Sequence, residues 1–407
     1  MPPYGCVTPA SRPAQRNCAE RRTFDSQCAR HHLDNPRHRQ YTNTNPVPGT
    51  HLLGVGMKGV RRFMLAHLLV EPGRLAYREV ETPEPGPGEV VVRVSAALTC
   101  GTDLKAFLRG HPKMPMPTLF GHEFSGDIAA AGAKVRGFRE GDAVMAVPTA
   151  PCKTCYYCRH HQENLCTVIM DTMVLGAYAE YVRLPAPVVE TNMFRKERAL
   201  AYTEAALLEP LSCVVHAIDE LAIRPDDRIL IIGAGAISLL HLLVLKSLGV
   251  EEVIILGRRQ HRAQAAVDLG ATVLLAPDAA SARAQVLEAT DGLGADVVIE
   301  CTGQLPVWEQ AIHYVRRGGT VVLFGGCPSG TRVSFDTGRL HYDQITLMSP
   351  FHFTPRDVRK AHRLLSERKI DGRPLISGTY TFPELDQVLA LLQQGYGIKY
   401  ALVPKPA

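Results

Sequence analysis

The chain has 407 residues, of which 46% are hydrophobic and 21% charged, a length and balance typical of a globular protein with two or three domains. No apolar run approaches the roughly 20 residues that span a bilayer, which excludes an integral membrane protein. The net charge of +5 comes from residues 1–63, where ten Lys and Arg face three Asp and Glu, so the remainder carries −2 and offers no basic surface for nucleic acid.

Residues 1–63 are rich in Pro, Arg, Asn and Thr and show no helical or strand periodicity, which predicts disorder. We interpret this segment as an over-long gene model with Met64 as the true start, and a targeting peptide is the alternative. On the first interpretation its cysteines are incidental. Nothing in the sequence resembles a secretory signal, so we expect a cytoplasmic protein whose thiols stay reduced.

The region after Met64 is rich in short strands. Alternating or apolar stretches predict strands at residues 64–70, 76–80, 89–94, 124–131 and 143–147. Turns rich in glycine and proline separate these stretches. We therefore predict a small barrel-like, β-rich domain over residues 64–212.

Four cysteines follow these strands within a short polar segment, at Cys152, Cys155, Cys158 and Cys166. Residues 159–164, between the last two cysteines, are charged or polar and cannot form a core. Four thiolates with this spacing can converge on one tetrahedral zinc, each about 2.3 Å from the ion. A closed four-thiolate shell predicts a structural zinc in a lobe over residues 150–168, and a disulfide knot is the alternative.

From about residue 199 the pattern is helical as far as residue 221, and then short apolar strands alternate with helices. Strands are predicted at residues 228–232, 253–256, 272–275, 297–300 and 320–324. Helices are predicted at residues 236–248, 260–269, 279–289 and 307–316. This alternation predicts a doubly wound α/β domain with a parallel sheet over residues 213–347. Residues 348–407, with predicted helices at 355–369 and 383–394 and a strand at 399–403, are expected to return to the first domain.

A glycine-rich turn follows the first α/β strand, at Gly233-Ala234-Gly235, and a helix begins at once with Ala236 and Ile237. In a βαβ unit such a turn brings helix-terminal N–H groups to the pyrophosphate of a dinucleotide. Ser238 stands at the position that serves helix–strand packing, where a slightly larger residue is tolerated. The pattern predicts dinucleotide binding, with Gly325, after a later strand, as a further candidate contact.

The second α/β strand ends at Gly257, Arg258 and Arg259, where an acidic residue would bind the ribose of NAD. Two guanidinium groups instead favour the 2′-phosphate of NADP, which they can hold by charge-assisted hydrogen bonds. We therefore expect NADP to be preferred over NAD, and two merely solvated arginines are the alternative.

A third set of candidates consists of Cys100 and Thr102 after a strand, His122 and Glu123 some twenty residues later, and Glu209 far downstream. A thiolate, an imidazole and a carboxylate form a mixed ligand set that leaves a coordination position for water or substrate. Each residue alone has an ordinary structural explanation. The prediction therefore depends on their combination with a nucleotide-binding fold.

Several ordered motifs resemble those of the zinc-containing medium-chain dehydrogenases of the alcohol dehydrogenase superfamily. They are residues 86–94, 100–103 and 121–126, the four cysteines, and Glu209-Pro210-Leu211-Ser212. The last motif makes the polyol (sorbitol) and threonine dehydrogenases the most similar branch. The resemblance extends from Met64 to the carboxyl end and implies a GroES-like catalytic domain, a Rossmann domain and a homo-dimer or homo-tetramer.

The resemblance also implies roles for the third set of candidates. Cys100 and His122 bind a catalytic zinc, and either Glu123 or Glu209 completes its shell, a choice that the sequence leaves open. Together with Thr102, these two glutamates are the candidate catalytic residues.

The proton relay expected from the resemblance begins at Thr102, whose hydroxyl can accept a proton and donate one onward. Many relatives have a histidine three residues later, where this chain has Lys105. Water or the cofactor ribose is therefore an alternative proton carrier. The other cysteines of the region, Cys213, Cys301 and Cys327, are interpreted as packing residues.

The predicted reaction is hydride transfer between NAD(P) and a secondary alcohol, such as a polyol, sugar or hydroxy amino acid, which gives the ketone. In this reaction zinc polarises the substrate oxygen. Two alternatives remain at this point: a zinc-free quinone or enoyl reductase of the same fold, and a non-catalytic protein that binds metal and nucleotide.

Overall fold

The computed structural model describes residues 62–405, and the predictions for residues 1–61 lie outside this range. The strands before residue 200 are β1 (Phe63–Glu71), β2 (Arg74–Glu81), β3 (Val90–Leu98), β4 (Thr118–Leu119), β5 (Phe124–Ala131), β6 (Ala143–Ala146), β7 (Tyr181–Leu184) and β8 (Met193–Arg195). The helices as far as residue 205 are α1 (Gly101–Arg109), α2 (Tyr156–Arg159), α3 (Ala186–Thr191) and α4 (Tyr202–Ala205).

Strands and helices alternate in the second half of the chain. The strands there are β9 (Ile229–Ile232), β10 (Val253–Gly257), β11 (Thr272–Leu275), β12 (Ala295–Glu300), β13 (Val315–Leu323), β14 (Thr346–Met348), β15 (Ile376–Thr381) and β16 (Lys399–Val403). The helices are α5 (Leu208–Asp219), α6 (Ala236–Ser247), α7 (Gln260–Asp268), α8 (Ala279–Ala289), α9 (Leu305–Ala311), α10 (Thr337–Tyr342), α11 (Pro355–Ser366) and α12 (Leu385–Gln394).

The α/β part is a six-stranded sheet of order β11-β10-β9-β12-β13-β14, and every neighbouring pair is parallel. Its central strand β9 is buried along its whole length, as expected for a parallel strand with helices on both faces. The predicted doubly wound sheet is confirmed. The strand order reverses beside β9, so ligands are expected at the carboxyl ends of β9 and its neighbours.

The β-rich part contains two sheets. One has the order β15-β16-β3-β5-β6-β8, with β7 also paired to β3, and the other has the order β2-β1-β4. The last strand, β16, lies antiparallel to β3, so Ala401 is paired with Leu98. Phe382, Leu385 and Leu402 belong to the same buried core as the strands of this part. The carboxyl-terminal residues therefore pack on the β-rich part of the molecule.

Some predicted helices are wrong in extent. The helix predicted at 307–316 ends at Ala311 in the structure, because Val315 already begins β13 and pairs with Ala295. The helical stretch after residue 199 is two separate helices, α4 and α5. The sequence analysis also missed α1, whose amino terminus is capped by Cys100.

Residues 62–405 contain no helix with the length and apolar character needed to cross a membrane.

Candidate active site and metal centres

Two loops bring three predicted ligands together. Cys100 follows β3 and caps α1, where its Sγ accepts a hydrogen bond from the backbone N–H of Thr102 at 3.4 Å. His122 and Glu123 lie directly before β5 and after Gly121, whose φ of 87° is accessible to glycine. Because β3 pairs with β5, the ligand atoms of Cys100, His122 and Glu123 lie within 4.8 Å of one another.

A buried aspartate that the sequence analysis gave no role faces His122. Asp103 lies in the first turn of α1, and its Oδ1 is 3.0 Å from Nδ1 of His122. Burial alone would lower the pKa of His122, but the Asp103 carboxylate raises this pKa well above its ordinary value. With Nδ1 facing Asp103, Nε2 is the ring nitrogen left for a metal.

Glu123 forms a buried ion pair with a residue from the far end of the chain. Lys399 Nζ donates to Oε2 of Glu123 at 2.5 Å and to the carbonyl of Thr99 at 2.6 Å. The other carboxylate oxygen, Oε1, is buried and has no hydrogen-bond partner among residues 62–405. Burial raises the pKa of Glu123 to about 7, although the charge of Lys399 opposes this shift. A buried acceptor without a partner is costly, and a cation at the cluster would satisfy it.

Glu209 lies in the first turn of α5, buried but outside the cluster of three ligand atoms. Burial raises the pKa of Glu209, and its charge contributes to the raised pKa of Glu123. One turn along α5, the Sγ of Cys213 is 3.9 Å from Oε1 of Glu209. Cys213, interpreted from sequence as a packing residue, therefore also contacts a candidate site residue.

The two candidate relay residues have different surroundings. Thr102 is half-buried beside Cys100 in the first turn of α1. Lys105, three residues later, donates from Nζ to the carbonyl of Gly326 at 3.2 Å. Gly326 follows β13, so this hydrogen bond joins α1 to the α/β part and directs the ammonium group there.

The four cysteines of residues 150–168, which we call the cysteine lobe, also converge. Their sulfurs form one compact group, in which Cys158 Sγ lies 3.5 Å from that of Cys155 and 3.9 Å from that of Cys152. Four sulfurs at about 2.3 Å from a central zinc are about 3.8 Å apart, whereas a disulfide requires about 2.0 Å. Every cysteine in the described part of the chain is free. The spacing therefore fits a metal and not the disulfide alternative.

The thiols of the cysteine lobe differ in environment. Hydrogen bonds from backbone N–H groups lower the pKa of Cys155 to about 6. Burial raises the pKa of Cys158 to about 12. A bound cation would favour the thiolate form of every member.

An asparagine attaches the cysteine lobe to the rest of the molecule. Asn164, between the third and fourth cysteines, has its Nδ2 3.1 Å from the carbonyl of Phe351 and 3.3 Å from Nε2 of His216 in α5. His216 in turn contacts Oδ2 of Asp357, in α11, at 2.9 Å. The lobe therefore contacts the helix that carries Glu209 and the loop that leads from β14 to α11.

A cavity of about 530 Å³ lies at the carboxyl ends of β9, β10 and β12. The predicted cofactor residues that line it are Gly233, Gly235, Gly257, Arg258 and Arg259. The other three lie nearby: Ala236 and Ile237 form the first turn of α6, and Gly325 packs against Gly303. A side chain at Gly325 would approach the Gly303 nitrogen to 2.3 Å, which gives this glycine a packing role as well.

A third arginine, missed from the sequence, lines the same cavity. Arg262 Nε donates to the carbonyl of Gly397 at 3.0 Å, and Arg259 Nη1 donates to the carbonyl of Gln394 at 3.3 Å. Arg259 directly precedes α7 and Arg262 lies within it, while Gln394 ends α12 and Gly397 precedes β16. The two hydrogen bonds therefore connect the beginning of α7 to the carboxyl-terminal segment. Burial and the neighbouring Arg259 lower the pKa of Arg262. Arg258 and Arg259 are both exposed at the cavity, and Arg258 Nη2 donates to Oε1 of Gln304 at 3.5 Å.

Comparison with known families gives two matches that together span both parts of the chain. Residues 86–191 match the model of the alcohol dehydrogenase GroES-like domain, and residues 236–367 match that of the zinc-binding dehydrogenase family. Sorbitol dehydrogenase of Halalkalibacterium halodurans is 31% identical over 344 residues, which cover 82% of this chain and 96% of that protein. L-threonine 3-dehydrogenase of Pyrococcus horikoshii is 30% identical over 345 residues, with the same coverage of each chain.

Solved structures show the same similarity. A zinc-binding dehydrogenase from Sinorhizobium meliloti 1021, bound to NADP, aligns with a TM-score of 0.76 at 29% identity and covers 84% of this chain and all of that one. A structure from Escherichia coli CFT073, described as a short chain alcohol dehydrogenase and complexed with NADH, aligns with a TM-score of 0.75 at 26% identity and equal coverage.

Proposed function

The chain belongs to the zinc-binding dehydrogenase family of alcohol dehydrogenases and is an NAD(P)-dependent alcohol oxidoreductase, and we propose that it acts on a secondary alcohol of the polyol, sugar or hydroxy amino acid class. The carbinol carbon gives hydride to the nicotinamide and becomes a ketone carbon, while the hydroxyl proton leaves. The observation that carries this proposal is the cluster of half-buried Cys100 with buried His122 and Glu123, in which Oε1 of Glu123 lacks a partner among residues 62–405.

We assign the catalytic zinc to this cluster, with Glu123 as its carboxylate ligand. Oε1 of Glu123 is unpartnered within the described range and lies with the other two ligand atoms, whereas Glu209 lies outside the group. Glu209 is then a nearby second carboxylate, suited to act through water. A zinc bound there would polarise the substrate oxygen and lower the pKa of the alcohol. The four sulfurs of the cysteine lobe would hold the second, structural zinc.

The surrounding residues hold charges and move the proton. Asp103 fixes the orientation of His122, and Lys399 balances the charge of Glu123 inside the protein. Thr102, half-buried beside Cys100, would accept the proton of the substrate hydroxyl and would pass it to water or to the ribose of a bound cofactor. We assign Lys105 no function in this proton relay, because its Nζ donates to the carbonyl of Gly326.

We propose NADP as the preferred cofactor. The support is the exposed Arg258 at the cavity, together with the guanidinium groups of Arg259 and Arg262. A carboxylate, which would favour the ribose of NAD, is absent from the end of β10, where Gly257 stands.

The cofactor proposal has a direct optical test. The chain has one tryptophan, Trp308, whose indole N–H donates to the carbonyl of Gly325 at 2.9 Å. Titration of Trp308 fluorescence with NADP and NAD should give the tighter binding for NADP. The double variant Arg258→Ala and Arg259→Ala should reduce that preference by about tenfold or more, which corresponds to about 1.4 kcal/mol. A preference for NADP that survives in the double variant would remove the role given to these arginines.

The zinc assignment is tested by metal analysis. The purified protein should contain two zincs per chain, and Cys100→Ala should retain one and lose dehydrogenase activity. Cys327→Ala, which alters a half-buried cysteine outside both clusters, is the matched control and should retain two zincs. Activity that persists in Cys100→Ala would contradict the catalytic-zinc proposal.

A panel of polyols, aldoses, threonine and simple alcohols, run with both cofactors, tests the substrate class. The zinc-free quinone or enoyl reductase alternative would give turnover of quinones or enoyl compounds without dependence on Cys100. A cytoplasmic location and a homo-dimeric or homo-tetrameric assembly stay predictions, to be checked by fractionation and by light scattering.

A further inference from the structure

A buried tyrosine lies on the side of Asp103 opposite His122. The Tyr178 side chain is fully buried, and its hydroxyl donates to Oδ2 of Asp103 at 2.5 Å. The hydroxyl oxygen of Tyr178 is also 3.1 Å from the carbonyl of Leu98. Because a phenol has only one proton, that proton goes to Asp103, the closer and charged acceptor. The other oxygen of Asp103, Oδ1, faces His122. Tyr178, Asp103 and His122 therefore form one buried chain that ends at a candidate zinc ligand.

The backbone and ring of Tyr178 are held in place independently of this hydrogen bond. Its N–H donates to the carbonyl of Phe120 at 3.0 Å, and its own carbonyl accepts from the N–H of His67 at 3.0 Å. The ring packs edge-on against Phe120 at 5.5 Å. It also lies directly on Gly121, where an added Cβ would come within 2.7 Å of the ring. The hydroxyl is thus presented to Asp103 by rigid surroundings.

We propose that Tyr178 is a positioning residue of the catalytic metal centre: its hydroxyl fixes the carboxylate of Asp103, which in turn orients His122 for zinc. This inference rests on the proposed zinc assignment. Asp103 is completely buried, so without the tyrosine proton its Oδ2 would lose its side-chain donor in a place that water does not reach. The carboxylate would then be free to turn away from Nδ1. Residues that hold a metal ligand through such a bond change metal affinity by about 10- to 100-fold when they are removed.

The test compares two variants, each of which removes the hydroxyl group of a tyrosine that donates a hydrogen bond to an aspartate. Tyr178→Phe breaks the chain to His122. Tyr202→Phe removes a hydrogen bond of the same kind, from the Tyr202 hydroxyl to Asp127, which lies outside the metal clusters. Both variants lose a tyrosine–aspartate hydrogen bond, but only the bond of Tyr178 leads to a candidate zinc ligand.

The measurement is the zinc dissociation constant of each site, obtained by competition with a chelator, with the zinc of the cysteine lobe as an internal reference. We expect Tyr178→Phe to weaken the catalytic zinc by about 10- to 100-fold and to leave the lobe zinc within about threefold. Tyr202→Phe should change neither. In an Asp103→Asn background, Tyr178→Phe should add little, because the tyrosine acts through that carboxylate.

Two results would overturn the inference, and they have different meanings. An unchanged catalytic zinc affinity in Tyr178→Phe, with two zincs bound in the parent protein, removes the role of Tyr178 alone. A parent protein that binds zinc only in the cysteine lobe removes the zinc assignment and this inference together. If Tyr178→Phe yields little folded protein, Asp103→Asn tests the same chain, and an unchanged affinity there also contradicts it.

Discussion

The two proposed metal centres are built in opposite ways. The cysteine lobe takes all four ligands from residues 152–166, and backbone N–H groups of the same segment lower the pKa of Cys155. The catalytic cluster takes ligands from two loops and depends on Asp103, Tyr178 and Lys399, which come from α1, the segment before β7 and the last strand. A local site can form from its own segment, whereas a non-local site is complete only when the whole β-rich part has folded.

The largest expected effect in this comparison is on the cysteine lobe. Cys158→Ala removes one of four ligands, so the lobe zinc should be lost, and the free energy of unfolding should fall by more than about 4 kcal/mol. Gln162→Ala, which alters an exposed side chain between the third and fourth cysteines, is the control, and its free energy of unfolding should fall by less than about 0.5 kcal/mol. Urea unfolding with zinc analysis checks both values. A stable Cys158→Ala protein without lobe zinc would show that this metal does not support the fold.

The catalytic cluster should respond to a change at the far end of the chain. Lys399→Met leaves the Glu123 carboxylate buried without its partner, which should destabilise the protein by about 3–5 kcal/mol. The double variant Glu123→Gln and Lys399→Met should recover part of this loss, because it leaves no unpaired charge. Urea unfolding of the single and double variants, with the lobe zinc measured beside it, gives the comparison. Equal stability of both variants would mean that the pair is not coupled.

A smaller loss of stability is expected where the cysteine lobe contacts the rest of the molecule. Asn164→Ala removes the amide between the cysteine lobe, His216 and the Phe351 carbonyl, and we expect a loss of about 1–3 kcal/mol with both zincs retained. Gln264→Ala, an exposed amide on α7, is the control. Loss of the lobe zinc in Asn164→Ala would instead show that docking is required to hold the metal.

The smallest effect is a dependence on pH. Burial would raise the pKa of Asp357, but hydrogen bonds from His216 and Thr354 outweigh it and hold the pKa below its usual value. A depressed carboxyl pKa adds stability above the unfolded pKa of about 3.8, and this stability is lost as the pH falls through the folded value. The stability difference between the parent and Asp357→Asn should therefore be constant near neutral pH and shrink below about pH 4. A difference that grows in acid would contradict this assignment.

The sequence predicts some parts of these sites well for a physical reason. The spacing of the four cysteines is a local property, and so is the Gly233 turn between a strand and a helix. Cys100, His122 and Glu123 are recognisable because their motifs are short and ordered along the chain. The converged sulfurs and the cluster within 4.8 Å are consistent with those predictions.

The residues that the sequence analysis missed make long-range contacts. Lys399 is a charged residue in an otherwise apolar strand, which is a sequence signal for a buried ion pair. The sequence does not identify its partner, because Glu123 is 276 residues away. Tyr178 is likewise 75 residues from Asp103. Arg262 lines the cavity, and its hydrogen bond to the carbonyl of Gly397, 135 residues away, depends on how the carboxyl-terminal segment packs. Pairings of this kind follow from tertiary structure and leave no periodic pattern.

The position of β16 has a consequence for the order of events during synthesis. The edge of β3 at Leu98 has its antiparallel partner, Ala401, in a strand that is synthesised only after the whole α/β part. Until then the Glu123 carboxylate has no Lys399 ammonium group beside it, and that edge of β3 is open. The cysteine lobe precedes the α/β part in the chain, so all four of its ligands are present long before this point. The molecule can therefore assemble its structural metal site first and complete its catalytic centre only after β16 has been made.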